Sequence, residues 1–228
     1  MFLLVINFFE FAAAVTGTVY INKYRNDKFI RYFVYFLWFT AFFDTIFGWM
    51  PVMIEENERL SFLSNSILND CHWAYNIYDI ISFSLYSLFF IHYIQSHKIK
   101  RIGYSLWLIY LVVSLSYLLF SDVFFNAPSL ISLIFGTLLL IFLIFSFYYQ
   151  VLQGEEILQF YKLLIFYISF GALVFHVSVN PIFIYSEYYN DFRSPRFSQI
   201  YRIILTSANI FMYTCYVIGF VVCLKKNK

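Results

Sequence analysis

Charge is what this sequence lacks most. Asp, Glu, Lys and Arg make up 12% of its 228 residues, about half the share an ordinary soluble domain carries, which excludes a water-soluble globule. Proline and glycine are scarce too, at 4 and 7 residues. That rules out a flexible linker or low-complexity segment, and nothing between the apolar runs is long enough to fold separately. The 3 cysteines, Cys71, Cys215 and Cys223, are odd in number and follow no metal-ligand spacing. They read as buried, inert thiols outside any disulfide framework. No basic n-region precedes the first apolar run, so it is a poor signal peptide despite Ala12-Ala13-Ala14.

What the chain has is hydrophobicity, 62% of residues. Apolar runs of about 20 residues recur along it, the length a helix needs to cross a bilayer. They predict an all-α, single-domain bundle of seven transmembrane helices at about 2–22, 29–54, 70–94, 102–121, 129–151, 160–184 and 200–224. Seven spans put the termini on opposite sides, and the cations test that count. One alternate set of turns holds Lys23, Arg25, Lys28, Arg31, Lys98, Lys100, Arg101, Lys162, Lys225, Lys226 and Lys228; the other holds only Arg59, Arg193, Arg196 and Arg202. The positive-inside rule then places the N-terminus outside and the C-terminus in the cytoplasm. A shift of 130 residues lays helices 1–3 on helices 5–7. It pairs Pro51 with Pro181, Asp79 with Asn209, Tyr86 with Tyr216 and Phe90 with Phe220, a pattern that reads as a 3+1+3 parallel repeat.

The third run, DCHWAYNIYDIISFSLYSLFFIHY, is long enough to span yet carries His72, Tyr75, Asn76, Asp79, Ser82 and Tyr86 at steps of 3 or 4. Those positions share one helix face, and such a face turns to other helices or to a wet cavity rather than to lipid. With the helices alternating in direction, Asp44 of helix 2, His176 and Asn180 of helix 6 and Asn209 of helix 7 fall in the same outer part of the bundle, with Glu10 near mid-depth. Glu10, Asp44, His72, Tyr75, Asn76, Asp79, His176, Asn180, Asn209 and Tyr213 are therefore the candidate ligand-binding residues of an outward-facing polar pocket, closed below by aromatics. No Lys or Arg stands at mid-span beside the three carboxylates. An ionised carboxylate at the bilayer centre costs about 2.5–3.5 kcal/mol on insertion scales. Each must be protonated, hydrated, paired with a histidine or bound to a cation. The plainer account is that these groups hydrogen-bond one another and fix helix packing. Trp38, Trp49, Trp73 and Trp107 read as an interfacial belt.

KYRNDKFIRYFVYFLW, HWAYNIYDIISF and NIFMY resemble a group of seven-helix inner-membrane proteins of flavobacteria-like bacteria. That resemblance implies the fold and a bacterial inner membrane, and no activity. In topology the chain is similar to microbial rhodopsins and to the 3+1+3 PQ-loop sugar transporters. Helix 7 has no lysine before Lys225 for a retinal Schiff base, so no retinal or other cofactor is expected. The PQ-loop resemblance implies that helices 3 and 7 face the substrate, here through Asn76 or Asp79 and Asn209, although the Pro-Gln motif is missing. His72, His176, Asp44 and Asp79 could be cast as the zinc ligands of an alkaline-ceramidase-type hydrolase, but that family's HxxxH-type pairing is absent and no metal site is expected.

The function expected is a non-enzymatic small-ligand sensor or transporter. The alternatives are an oligomeric pore or membrane-perturbing defence effector, and the zinc-dependent membrane hydrolase. The expected partners are the lipid bilayer, a cytoplasmic or membrane protein and a second copy of the chain. Nucleic acid is not among them.

Overall fold

A computed structural model describes residues 2–24, 27–64, 66–186 and 195–226. Among them, seven helices are long and apolar enough to cross a membrane. They are α1 (Phe2–Lys23), α2 (Lys28–Glu56), α3 (His72–Tyr93), α4 (His97–Phe120), α5 (Leu130–Gln153), α6 (Leu164–Ser186) and α7 (Pro195–Lys226). The shortest has 22 residues, about 33 Å of helix at 1.5 Å per residue, enough for a hydrocarbon core of about 30 Å. No strand occurs among the described residues.

The boundaries differ from the sequence expectation where local chemistry intervenes. The third span begins at His72 rather than residue 70, because Cys71 adopts the left-handed conformation (φ 52°, ψ 13°) and separates α3 from a short helix at Ile67–Asp70. A non-glycine residue there costs about 1–2 kcal/mol. Cys71 is held by its burial and by its Sγ donating to Leu68 O at 3.0 Å. Burial and the neighbouring Asp70 carboxylate push the Cys71 thiol up, which suits an inert cysteine. The basic stretch SHKIKR is not a turn: α4 starts at His97, since Lys and Arg are good helix formers. The acidic turn near 155 is a 3-10 helix, Glu155–Lys162. α7 starts five residues early, at Pro195, a residue preorganised for a first helical turn. Arg25, Arg193 and Lys228 of the charge tally lie outside the described residues.

α2 is opened by Asp27, whose carboxylate accepts from Phe29 N at 2.9 Å and Ile30 N at 3.2 Å. The same carboxylate takes the Tyr93 hydroxyl at 2.5 Å, pinning the end of α3 to the start of α2. Lys23 Nζ donates to Leu224 O at 3.2 Å, and Gln95 N to Gln150 Oε1 at 2.5 Å. One end of the bundle thus gathers the last turns of α1, α3, α5 and α7. Within it, Phe33, Phe89, Phe90, Tyr216 and Phe220 are all buried. Gly136 of α5 lets that helix approach α3: a Cβ there would sit 2.5 Å from the Phe83 ring.

Two details add to the sequence reading. Trp38 and Trp49 tie helices together. Trp38 Nε1 donates to Thr18 Oγ1 at 2.9 Å and Trp49 Nε1 to Asn7 Oδ1 at 3.2 Å. The sequence cannot show this, because a ring facing a hydroxyl on the next helix and one facing a headgroup have the same local pattern. All three cysteines are free, but Cys215 is only half-buried.

Candidate functional site

The opposite end of the bundle is hollow. A cavity of about 710 Å³ is bounded by the first turns of α1, α3 and α7 (Leu3, His72, Phe197), the late turns of α6 (Asn180, Phe183) and the second half of α2 (Asp44). That volume is within the range of small-ligand sites. A third of its lining residues are aromatic, including Phe36, Tyr78, Phe83, Tyr86, Phe175 and Tyr213. Tyr78 anchors one wall: its ring stacks on Phe43 at 4.8 Å between centroids, and its hydroxyl shares a 3.0 Å hydrogen bond with Thr40.

Nine of the ten candidate residues line this one cavity: Asp44, His72, Tyr75, Asn76, Asp79, His176, Asn180, Asn209 and Tyr213. Glu10 does not. It is 0% exposed and lies behind Asp44, with the two carboxyl groups within hydrogen-bonding reach of each other. Tyr213 approaches Glu10, and Tyr75 approaches Asp44. Asn7 completes the group on the α1 side. Its Nδ2 donates to Thr45 Oγ1 at 2.8 Å and reaches Glu10 Oε2 at 3.4 Å.

The residues differ in how much of their polarity is already used. Asn76 is spent on structure. Its Nδ2 donates to Phe124 O at 3.1 Å and Ala127 O at 3.0 Å, and its Oδ1 accepts from Ser129 N at 2.8 Å. It sews α3 to the turn before α5 and has both amide hydrogens engaged. Asn180 donates to Thr137, and Asn209 Nδ2 donates back to Leu205 O at 2.9 Å. The His176 ring nests among Phe83 (4.9 Å), Phe175 (5.1 Å) and Tyr86 (5.9 Å), and its Nδ1 has no partner among the described residues. Asp79 stands apart. It faces the cavity, no hydrogen-bond donor or cation among the described residues meets its carboxyl, and the charged group that acts on it is Asp44.

Acid dominates the lining, with Asp44, Asp70 and Asp79 against Arg202, the one lysine or arginine that the described residues place there. The residues cast as zinc ligands do not converge. His72 opens α3 at the cavity mouth while His176 sits in its aromatic nest, and among the described residues no three His, Cys, Asp or Glu side chains are placed to hold one metal ion.

Asn7, Thr40 and Arg202 also line the cavity, outside the candidate set. Asn7 precedes Glu10 by three and Thr40 precedes Asp44 by four, so helical spacing could have found both. Arg202 carries no such signal: from sequence it is a charge at a span end, and only the entry of α7 into the wall makes it a lining residue.

No protein-family model matches this chain, and neither does any curated protein or solved structure.

Proposed function

We propose that this multi-pass membrane protein binds a small organic cation, an amine or quaternary ammonium compound, in the cavity, and acts without catalysis as its sensor. The observation that carries the reading is Asp79, a carboxyl group that lines an aromatic-walled cavity and has no protein partner among the described residues. A carboxylate so placed is stabilised by a cationic ligand, and the faces of Tyr78, Phe83, Tyr86 and Phe175 offer cation–π attraction to the same charge. The excess of Lys and Arg in the turns at the other end supports an N-terminus outside, so the cavity opens away from the cytoplasm. That bias also fits a bacterial inner membrane. The turns at that other end are short, and a signal would pass to a separate membrane or cytoplasmic protein.

The test is binding. Tetramethylammonium and choline are titrated into detergent-purified protein against uncharged analogues of the same shape. Saturable, cation-dependent thermal stabilisation is expected in the wild type and is lost in Asp79→Asn. An equal response to the neutral analogues would sink the proposal.

Transport is the second reading, and packing symmetry supports it. α1 packs on α7 while α5 packs on α3, so the first helix of each triplet lies against the last helix of the other. Tyr86 and Tyr216, 130 residues apart, meet hydroxyl to hydroxyl at 2.8 Å where the triplets face each other. Parallel repeats with a site at their interface are a known transporter arrangement. Cation uptake into proteoliposomes separates the readings, because a sensor binds without flux. The pore alternative has less support, since the half below the cavity is filled by buried Phe33, Phe90, Tyr216 and Phe220.

A further inference from the structure

We infer that Glu10 and Asp44 form a proton-binding site, one proton held between two carboxyl groups, with Asp44 exchanging it with the cavity. The site is distinct from Asp79, and the inference does not depend on what ligand the cavity takes.

The geometry is that of an acid pair whose other donors are neutral: Asn7 and Tyr213 approach Glu10, and Tyr75 approaches Asp44. Glu10 is 0% exposed, and its Oε1 has no hydrogen-bond partner there. Its Oε2 has the long 3.4 Å contact from Asn7 Nδ2, whose shorter bond goes to Thr45. The group facing Glu10 from α2 is the carboxyl of Asp44. Two carboxylates cannot hydrogen-bond each other, and one proton between them turns the repulsive contact into a bond. The other titratable groups around the pair are Tyr75, Tyr78 and Asp79 on α3 and Tyr213 on α7. No lysine or arginine is among the groups acting on either carboxyl, so a proton is the positive charge the site holds.

Access is one-sided. Asp44 lines the cavity and Glu10 does not. A proton leaving the pair therefore passes from Asp44 to cavity water, and Glu10 is reached through Asp44. A cation entering beside Asp79 meets the charge that Asp44 then carries.

Infrared spectroscopy of the ligand-free protein in detergent tests this. At neutral pH the wild type is expected to show the carbonyl stretch of a protonated carboxyl group. That band is lost in Glu10→Gln, whose amide donates to Asp44 and leaves it ionised, and is kept in Asp79→Asn. If Glu10→Gln does not fold, Asp44→Asn takes its place, its new amide donating to Glu10. A wild type with no such band overturns the inference, and the wild-type spectrum decides this without any variant. So does a band that survives in Glu10→Gln and Asp44→Asn but disappears in Asp79→Asn, which would put the proton on Asp79. Sodium-dependent stabilisation of a wild type that lacks the band would assign the pair to a metal cation instead. Failure of every ammonium probe to bind leaves the infrared result intact, so the two proposals fail separately.

Discussion

The two halves of this bundle use the same aromatic-rich composition in opposite ways. Around Phe33, Phe89, Phe90, Tyr216 and Phe220 the rings fill space against one another; Phe33 meets Phe89 at 5.0 Å and Tyr216 at 5.5 Å. Around Tyr78, Phe83, Tyr86 and Phe175 the rings line a cavity of about 710 Å³. The difference lies in the polar groups between the rings. Asn7, Glu10, Asp44, Asp79, His176, Asn180 and Asn209 all belong to the hollow half. Polar groups serving helix packing alone have no reason to gather at one depth. Asn76 and Asn180 show that part of the set does serve packing, and Asp79 shows that part does not.

The comparison breaks most visibly in the closed half. Phe220 is fully buried and its ring packs on Tyr20 at 5.6 Å. Phe220→Ala is expected to cost about 3–5 kcal/mol, read as a large drop in thermal midpoint in detergent. A loss below about 1 kcal/mol would mean that the closed half is not close-packed. Asp79→Asn is the counterpart in the hollow half: affinity for an ammonium probe falls about a hundredfold, roughly 3 kcal/mol, with the thermal midpoint of the unliganded protein unchanged. If both variants lose stability alike, Asp79 is a packing residue and the halves do not differ in kind.

Much of this was legible in the sequence, for a physical reason. Span length, hydropathy and the alternating positions of lysine and arginine are one-dimensional signals, so seven helices could be read directly. Polar residues at helical spacing also give a face, and alternating direction gives a depth, which is why Asp44, Asp79, His176 and Asn209 could be assigned to one end. Partner choice is not one-dimensional. Nothing in the spacing tells Asn76, which spends its amide on Phe124, Ala127 and Ser129, from Asp79, which has no hydrogen-bond partner among the described residues. Nor could spacing tell that Glu10 stands behind the cavity wall rather than in it.

Asn76 therefore offers a sharper cut than another charge change, because it lines the cavity and yet works for the fold. Asn76→Ala leaves two carbonyls and the Ser129 amide without their side-chain partners, a loss of about 2 kcal/mol. Its effect on ammonium affinity should be small once the folded fraction is matched. Stability measured by thermal unfolding and affinity measured at low temperature separate the two effects. A selective loss of affinity would return Asn76 to the ligand site.

The smallest change tests whether the two triplets are held together where the halves meet. Tyr86 and Tyr216 are both buried and share one 2.8 Å hydrogen bond, with the Met212 sulfur 4.0 Å from the Tyr86 hydroxyl. Tyr86→Phe keeps the ring that lines the cavity floor and deletes that bond, leaving the Tyr216 hydroxyl buried without its partner. The expected cost is about 1 kcal/mol, and Tyr216→Phe should cost no more, because it removes the same bond but leaves the Tyr86 hydroxyl beside the Met212 sulfur. The double variant should then be less damaging than the two single losses added, since it leaves neither hydroxyl stranded. Strict additivity would mean that the two hydroxyls act independently and that no bond crosses between the triplets. A sub-additive result with unchanged ammonium binding would place the joint in the scaffold beneath the site. One that also changed uptake into proteoliposomes would place it on the moving part of a transporter.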